Sequence, residues 1–355
     1  MNLTFVAANL NGYFNRGGRA VVAKKTLENI ENACGNPVDI YIFTETKDSY
    51  DKESGLSDFV LQQNSSHSDG FYILYEEKSR VRRGYAGVSV LVRNSLLAEK
   101  GNQFVGRISL GQFTNLNKWL ETEAKLVFTL RNEDITTRFS DKLAHDDAPR
   151  LPIRYFQTDE EEIRFHEKHY IGNISEKYNF VLDLTGRIVV LQFRDFVLLA
   201  VYTMNSGARL NKLDLRTMLF DQYLLRLVQE LETNFGPVIL AGDLNIIRDE
   251  RDIWNPEKNK HLAGFTTNEK ISFENFLEVT EMKDTFRELH GDTIKYTFFS
   301  NRAVTTRADN KGFRLDYFFV SKHLISKVQE STVLENDEII GVISDHRPII
   351  LRIAL

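Results

Sequence analysis

Carboxylate, amide and imidazole side chains recur at the ends of short apolar runs in this sequence. The run 238–241 leads directly into Gly242-Asp243-Leu244-Asn245, and the run 40–43 leads towards Glu45. In layered α/β folds, rigid strands hold reactive groups at their ends while loops shape the pocket. We therefore predict one site built from all the segments of this kind. Its candidate residues are Asn9, Glu45, Asp243, Asn245, Asp316, Asp345 and His346.

These residue types fit metal-assisted hydrolysis of a phosphodiester bond. A hard cation such as Mg²⁺ prefers carboxylate oxygens, completed by water and phosphate oxygens. The transition state gathers negative charge on the phosphoryl oxygens, which a metal ion and positioned donors stabilise. The attacking water must lose a proton, and Asp243 or His346 could accept it, because the pKa of such groups moves into range in a charged, partly dry site. The sequence does not choose between these two bases.

Each segment alone has an ordinary explanation. Residues 242–245 form a common turn sequence, the Asp-His pair before Pro348 could be a turn or a helix cap, and a lone Glu45 is typical of a solvated loop. Their occurrence together, each beside an apolar run, favours the site. The sequence contains no Cys-x-x-Cys pair, no G-x-G-x-x-G and no P-loop, so zinc fingers, dinucleotide-binding folds and NTPases lose their main support.

The elements that must position these residues are strands interspersed with helices. Continuous apolar runs indicate buried strands, and apolar residues at helical spacing indicate helices. This arrangement favours a layered domain of the α/β (α+β) class. Strands are predicted at 3–8, 39–43, 86–92, 187–193, 196–202, 238–241, 315–320 and 349–353, and helices at 24–33, 213–231 and 268–279.

Residues 107–183 differ from the rest of the chain. Their periodicity is weaker, and they contain the acidic run 159–162. A loop of this length without structure of its own would be unusual. We predict that residues 1–355 form a single domain, and that 107–183 is an inserted subdomain, partly helical near 117–125 and from 159 to 169.

The composition sets limits on the class of protein. Of 355 residues, 42% are hydrophobic and 27% charged, and no apolar run approaches the about 20 residues of a membrane span. The formal net charge of −5 weighs mildly against nucleic-acid binding, although clustered metal-binding carboxylates would account for it. Cys34 is the one cysteine, which fits a reducing compartment. We expect an intracellular monomer of the nucleus or cytoplasm, with no secretory signal and no membrane partner.

Together the segments resemble the endonuclease/exonuclease/phosphatase superfamily, and within it the exonuclease III-type apurinic/apyrimidinic (AP) endonucleases. The resemblance covers nearly the whole chain outside 107–183. It implies a four-layered sandwich, with two mixed β-sheets packed face to face and helices outside. The matching segments are Ala8-Asn9-Leu10-Asn11-Gly12, Thr44-Glu45-Thr46-Lys47, Gly84-Tyr85-Ala86-Gly87-Val88, Tyr202-Thr203-Met204-Asn205-Ser206-Gly207, Gly242-Asp243-Leu244-Asn245, Arg314-Leu315-Asp316-Tyr317 and Ser344-Asp345-His346.

Two further stretches are similar to the AP endonuclease branch in particular. One is Asp252-Ile253-Trp254-Asn255-Pro256 with Ala263-Gly264-Phe265-Thr266, and the other is Tyr296-Thr297-Phe298-Phe299 with Gly312-Phe313-Arg314-Leu315-Asp316. The second resembles the aromatic wall of an abasic-sugar pocket, which admits a sugar without its base and excludes an intact nucleotide. Core packing is the ordinary explanation for such phenylalanines. The resemblance implies incision 5′ to abasic sites in double-stranded DNA during base excision repair, with 3′-exonuclease or 3′-phosphodiesterase activity as a further expectation.

The resemblance also implies a role for each matching residue. Asp243 would deprotonate the water that Asn245 positions, and Asp316 would orient His346. The remaining catalytic residues, which would contact the phosphate, are Tyr202 and Asn205. The metal ligands, for Mg²⁺ or alternatively Mn²⁺, would be Glu45, Asp345 and Asn9. The substrate-binding residues would be Phe298, Phe313, Leu315, Arg209 and Tyr85, with further duplex contacts from Arg80, Arg82, Arg83 and Lys212.

The sequence departs from the family pattern at three positions. Asn11 stands where an acidic residue is frequent, Phe313 where a Trp is common, and Ala208 where an Arg of the DNA-intercalating loop occurs. Three alternatives stay open at this point: a retrotransposon-type or general nicking endonuclease, a phosphatase acting on lipids or nucleotides, and a catalytically inactive DNA-binding relative. The retained acids and His346 argue against the inactive relative.

Overall fold

The computed structural model describes residues 1–13, 19–48, 55–66, 72–78, 86–94, 96, 104–108, 116, 186–301, 305–335 and 344–355. In these ranges the strands are β1 (Asn2–Asn9), β2 (Ile40–Thr44), β3 (Tyr72–Glu77), β4 (Val88–Arg93), β5 (Phe104–Arg107), β6 (Ile188–Phe193), β7 (Val197–Tyr202), β8 (Val238–Asp243), β9 (Lys283–Asp284), β10 (Asp316–Val320), β11 (Val328–Val333) and β12 (Ile349–Ala354). The α-helices are α1 (Arg19–Cys34), α2 (Gly55–Ser66), α3 (Asp221–Asn234), α4 (Thr267–Thr280) and α5 (Thr285–His290).

Two mixed sheets organise the described residues. The first has the strand order β11-β12-β1-β2-β4-β3, and the second has the order β5-β6-β7-β8-β10-β9. In the first sheet β1 runs parallel to β2 and antiparallel to β12. In the second sheet β8 runs parallel to β7 and antiparallel to β10. The centres of the two sheets are therefore built in the same way.

The sheets pack face to face around one core, and helices cover their outer faces. Phe5 of the first sheet and Phe318 of the second meet with ring centroids 6.5 Å apart. Buried residues of α1 such as Ile30 pack on the outside of the first sheet, and those of α3 such as Leu227 pack on the outside of the second. Central strands covered on both faces read as continuous apolar runs, which is why the sequence identified them. The predicted four-layered sandwich is confirmed.

Local sequence signals explain where the helices on the second sheet begin and which face they bury. In α3, Leu224, Leu227, Val228 and Leu231 recur at helical spacing and are all buried. The helix α4 begins with a capping box, in which Thr266 caps the first turn and the Glu269 side chain returns to the cap. None of the helices in the described ranges is long and apolar enough to cross a bilayer.

The structure refines the predicted elements in two places. The single helix predicted at 213–231 is a π-helical segment, Leu215–Phe220, followed by α3. Residues 107 and 108 bond to β6, and Ile108 and Leu116 lie in the core of the second sheet. The remainder of 107–183, with its predicted helices, lies outside the described residues, and the insertion stays a prediction.

Candidate active site

The polar residues predicted from the sequence meet where strand ends of the two sheets face each other. In the second sheet, Asp243 at the end of β8 is paired in register with Asp316 at the start of β10 and with Tyr202 at the end of β7. Asn9 ends β1 in the first sheet, and its Nδ2 donates to Oδ2 of Asp243 over 2.8 Å. This bond joins the two sheets at the site.

Asp243 is held in one orientation by a set of donors. Its Oδ1 accepts the backbone N–H of Asn245 at 2.8 Å, and its Oδ2 also accepts Nδ2 of Asn245 at 3.3 Å. Gly242 is required just before it, because its φ is +137° and a Cβ there would lie 2.1 Å from the carbonyl oxygen of Val201. The carboxylate is 2% exposed, so its charge is poorly hydrated.

A second carboxylate, Asp316, orients the imidazole of His346. Its Oδ2 lies 2.7 Å from Nδ1 of His346. Asp316 is itself fixed, because Oγ1 of Thr297 accepts its backbone N–H at 3.1 Å and that of Leu315 at 3.0 Å. The bond to Nδ1 directs Nε2 of the ring away from Asp316, which leaves that nitrogen as a donor or acceptor toward a substrate.

Burial and mutual charge set the protonation of this group. For His346, burial lowers the pKa, but the charge and hydrogen bond of Asp316, followed by the charges of Asp243 and Asp345, raise it to about 10. For Asp243, burial and then the charge of Asp316 raise the pKa to about 7, against the opposing effect of His346. At neutral pH His346 is therefore a cation, while Asp243 exchanges a proton readily.

The site offers two sets of atoms that could bind a metal ion. One ligand atom each from Asp243, Asp316 and His346 lie within 4.8 Å of one another, and all three residues are buried. The second set centres on Glu45, whose Oε1 is 2.8 Å from Nζ of Lys47. Nζ of Lys47 also donates to Oδ1 of Asn11, and Nδ2 of Asn11 donates to Asp345 over 3.1 Å. The carboxylates of Glu45 and Asp345 and the amide oxygen of Asn11 are hard donors that fit Mg²⁺.

Asn9 differs from these oxygen donors, since both ends of its amide are engaged. Nδ2 donates to Asp243, and Oδ1 accepts the backbone N–H of Asn11 at 2.9 Å. This pattern fits a residue that holds Asp243 in place.

Tyr202 ends β7 next to Asp243, and Asn205 lies on the loop that follows. Nδ2 of Asn205 donates to Oδ1 of Asn245 over 2.8 Å, and the Asn205 side chain is exposed. The guanidinium of buried Arg187 lies 5.0 Å from the centroid of the Tyr202 ring. The end of β7 and the loop after it thus present the Tyr202 phenol and the Asn205 amide beside the Asp243 carboxylate.

An aromatic pair stands next to His346. The ring centroids of Phe298 and His346 are 5.0 Å apart, and those of Phe298 and Phe313 are 5.8 Å apart. Both phenylalanines are partly buried against a small apolar cluster that includes Leu315, itself buried. Arg209 is exposed beyond the Asn205 loop. Four of the other predicted DNA contacts, Tyr85, Arg80, Arg82 and Arg83, lie outside the described residues.

Three basic residues of the site received no role from the sequence. Lys47 sat inside a recognised motif, which was a signal that could have found it. Arg187 begins the predicted strand 187–193, where a buried charge is unexpected. Arg216 lies in a helix that showed no sign of its contacts: its guanidinium donates to the carbonyl oxygens of Met204 and Leu244 over 2.7 Å each.

Sequence comparison relates this chain to a family of known proteins. A sequence model of the Endonuclease/Exonuclease/phosphatase family matches residues 6–346. The exodeoxyribonuclease of Streptococcus pneumoniae is 37% identical over 175 residues, which cover 49% of this chain and 61% of that protein. The DNA-(apurinic or apyrimidinic site) endonuclease of Dictyostelium discoideum is 38% identical over 169 residues, which cover 47% of this chain and 45% of that protein. The chain thus spans about half the length of these curated relatives.

A solved structure shows the same fold. The crystal structure of the AP endonuclease from Leishmania major matches with a TM-score of 0.65 and 20% identity, covering 100% of this chain and 88% of that one. Because the family match extends over nearly all of the sequence, the chain belongs to the endonuclease/exonuclease/phosphatase family.

Proposed function

We propose that this chain is a Mg²⁺-dependent nuclease that hydrolyses phosphodiester bonds in DNA, with incision 5′ to abasic sites as its main reaction. The observation that carries the proposal is the buried group of Asp243, Asp316 and His346 between the two sheets, beside the aromatic pair. The family membership and the names of the two relatives support the same chemistry.

The protonation states support Asp243 as the general base. His346, with a pKa raised to about 10, already carries its proton at neutral pH and cannot take another. Asp243, with a pKa raised to about 7, is partly ionised and basic enough to accept a proton from the attacking water. Asn245, bonded to Asp243 through its backbone and side chain, would aim that water.

The remaining polar groups would bind the phosphate. The imidazolium of His346 would donate Nε2–H to a phosphoryl oxygen, since Asp316 holds the opposite side of the ring. The Tyr202 hydroxyl and the Asn205 amide would add donors from the neighbouring loop. These groups stabilise charge that develops on the phosphoryl oxygens in the transition state.

Glu45 and Asp345 would hold Mg²⁺, with Asn11 as a further oxygen donor and Mn²⁺ as an alternative ion. Asn9 would support the site by holding Asp243 in place. When bound, the ion supplies positive charge that offsets the negative charge on the phosphate. Lys47, which pairs with Glu45, would hold that carboxylate in its orientation.

The aromatic pair supports an abasic substrate. Phe298 and Phe313 form an apolar surface beside His346, suited to the face of a deoxyribose that carries no base. Double-stranded DNA with abasic sites is accordingly the proposed partner. We further propose a monomer inside the cell, in the nucleus or cytoplasm, with residues 107–183 as an insertion in a single domain.

A substrate panel tests the proposal. We expect Mg²⁺-dependent incision of a duplex with one tetrahydrofuran abasic analogue, 5′ to the analogue and with a 3′-hydroxyl product. An undamaged duplex of the same sequence should be cut far more slowly. Glu45→Gln should remove most of the activity while leaving the far-UV circular dichroism unchanged. Equal cutting of both duplexes would refute the abasic-site assignment, and no cutting of either would refute the nuclease.

A second candidate is removal of nucleotides or blocking groups from 3′ ends. The similarity to an exodeoxyribonuclease favours it. A recessed duplex and a 3′-phosphoglycolate duplex, added to the same panel, measure this activity relative to incision. Nicking of supercoiled undamaged plasmid would indicate a general nicking endonuclease, and binding without turnover would indicate an inactive relative.

A further inference from the structure

Trp254 is a large apolar side chain held at the surface near the aromatic pair. It is 41% exposed, whereas the preceding residue Ile253 is buried. A tryptophan exposed to this extent contributes less to folding than a buried one, and its flat amphipathic ring is suited to contact with a ligand. The mechanism described above does not use it.

Backbone pairing connects Trp254 to the reaction centre. Three antiparallel bridges, Ile253 with Phe313, Phe313 with Phe298, and Phe298 with His346, lay four segments side by side. The backbone N–H of Trp254 also donates to the carbonyl of Gly312 over 2.9 Å. At about 4.8 Å between neighbouring strands, three steps place Ile253, the neighbour of Trp254, at most about 14 Å from the His346 backbone, on the far side of the aromatic pair.

The loop that carries Trp254 is fixed by its own bonds. Nδ2 of Asn259 donates to the carbonyl oxygens of Trp254 and Asn255 at 2.8 and 3.0 Å. Asn255 takes the left-handed conformation with φ of +52° and starts the short 3₁₀ helix Pro256–Lys258. A ring that is both exposed and rigidly carried loses little conformational freedom when it binds.

A cation accompanies the ring. Nζ of Lys311 lies 5.5 Å from the Trp254 ring centroid, and it also pairs with Oδ2 of Asp309 at 2.8 Å. Lys311 lies two residues before Phe313 in the chain, so it is carried by the same segment as that member of the aromatic pair. An aromatic ring with an ammonium over it combines the two groups that contact a nucleotide, a flat surface for the base or sugar and a cation for the phosphate.

We propose that Trp254 and Lys311 bind a nucleotide of the DNA strand that flanks the one held by Phe298 and Phe313. The Trp254 ring receives the face of a base or sugar, and Lys311 neutralises the adjoining phosphate in place of Asp309. This inference rests on the proposed nuclease function and adds a second contact region along the strand, a few nucleotides from the reacting phosphate.

Tryptophan fluorescence tests the contact directly. Trp119 is the other tryptophan of the chain, so Trp119→Phe leaves Trp254 as the sole indole. Titration of this variant with the tetrahydrofuran duplex in EDTA, where no cutting occurs, should quench its emission in a saturable way. An emission that stays unchanged while fluorescence anisotropy of a labelled duplex reports binding would overturn the proposal.

Affinity measurements provide the second arm. Trp254→Ala should raise Kd for the same duplex by roughly 5- to 150-fold, the range expected for loss of one base–aromatic stack, and Trp254→Phe should restore most of it. Val279→Ala, which trims a side chain 44% exposed on α4, is the matched control and should leave Kd unchanged. Lys311→Ala should reduce the slope of log Kd against log salt by about one.

The two proposals fail in distinguishable ways. If wild-type protein incises the duplex but Trp254→Ala and Lys311→Ala bind it as wild type does, the flanking contact is refuted and the nuclease stands. If wild-type protein neither binds nor incises the duplex, the nuclease proposal and the flanking contact fall together.

Discussion

Two carboxylates and one imidazole share a space in which their ligand atoms are all within 4.8 Å. Burial and then the charge of Asp316 raise the pKa of Asp243, and burial lowers the pKa of His346 but the neighbouring carboxylates raise it further. The cationic His346 ring carries two protons, one on Nδ1 toward Asp316 and one on Nε2 toward the substrate side. Asp243 is the group that would accept a further proton most readily. The surroundings of the two residues therefore distinguish His346, the proposed donor to the phosphate, from Asp243, the proposed base.

The protonation of His346 is measurable in metal-free protein. We expect its ring to remain doubly protonated through neutral pH in an NMR titration with EDTA, with a pKa of about 10. Because the folded-state pKa lies above the unfolded value of about 6.5, this group stabilises the fold fully below about pH 6.5, and the contribution is lost as pH rises through the folded value. Asp316→Asn should lower the pKa of the His346 ring by about 1 to 3.

Asp195→Asn is a suitable control for this titration, because Asp195 lies in the turn between β6 and β7, at the opposite end of β7 from Tyr202. A neutral His346 ring at pH 7 in wild-type protein would contradict the assignment of Asp243 as base.

The residues of the site could be predicted where they follow a buried strand. Asp243 follows an apolar run, Asp316 comes just before another, and the structure pairs the two residues in register. Arg187 and Arg216 were assigned no role, because they contact residues distant in sequence or backbone oxygens, and no local pattern encodes such contacts. Lys47 pairs with Glu45 two residues earlier, so the motif that contains both could have assigned it.

At the scale of elements, a π-helical segment supports the two loops of the site. Arg216, within Leu215–Phe220, donates to the carbonyl oxygens of Met204 and Leu244, and its Nε donates to Asp221 over 2.6 Å. Met204 adjoins Asn205, and Leu244 adjoins Asp243, so one guanidinium fixes the backbone beside both. Single-turn π-helices frequently occur at functional sites, and this one directs a buried charge toward the loops.

Removal of this guanidinium should affect both stability and catalysis. Arg216→Met leaves Asp221 buried without its partner and should lower the free energy of unfolding by about 3–5 kcal/mol, measured by urea denaturation. Its kcat for incision should fall more than KM rises, because the misplaced groups act on the reacting atoms. Arg194→Met, at a side chain 65% exposed, should change neither. An unchanged kcat in a folded Arg216→Met protein would show that the residue is merely structural.

A buried ion cluster links the segments that hold the aromatic pair and Asp316. The guanidinium of Arg314 donates to both carboxylate oxygens of Asp252 at 2.7 and 3.0 Å, and to both of Asp284 at 3.1 and 2.8 Å. Arg314 stands between Phe313 and Leu315 in the chain. The cluster therefore fixes the backbone from which Phe313 and Asp316 project.

Because of this cluster, the free energy of unfolding should fall at acidic pH. Burial raises the pKa of Asp284, but Arg314 and Arg248 outweigh it and hold that pKa below its ordinary value. A depressed pKa stabilises the fold above the unfolded value of about 3.9 and loses that contribution as pH falls through the folded one. Asp284→Asn should thus cost about 3–5 kcal/mol at neutral pH, with a smaller difference from wild type near pH 3. A gap in urea denaturation that does not depend on pH would contradict this account.

Central elements were easier to predict than peripheral ones. The strands β1, β2, β7, β8 and β10 are mostly apolar because both of their faces are covered. By contrast, β3 is mostly half-buried and ends in two glutamates, and β11 mixes buried, half-buried and exposed residues among polar side chains. The π-helical segment before α3 was not predicted, because its buried residues Leu219 and Phe220 lie four positions before Tyr223 and Leu224 and so continue the spacing of an α-helix.

At the scale of the molecule, the two sheets have equivalent centres, each with a parallel pair and an antiparallel neighbour. Their facing ends bring together residues from the beginning, middle and end of the chain, joined by the Asn9–Asp243 bond. Neither sheet alone contains the whole site, so the packing of the sheets is a condition for activity. Asp243, the proposed base, lies at this junction.

The most direct test is single-turnover incision of the tetrahydrofuran duplex by Asp243→Asn with Mg²⁺. The rate should fall by about 10²- to 10⁴-fold, the usual contribution of a general base, while Kd measured in EDTA is no weaker and Asp195→Asn cuts at the wild-type rate. A folded Asp243→Asn protein that incises within tenfold of wild type would contradict the account.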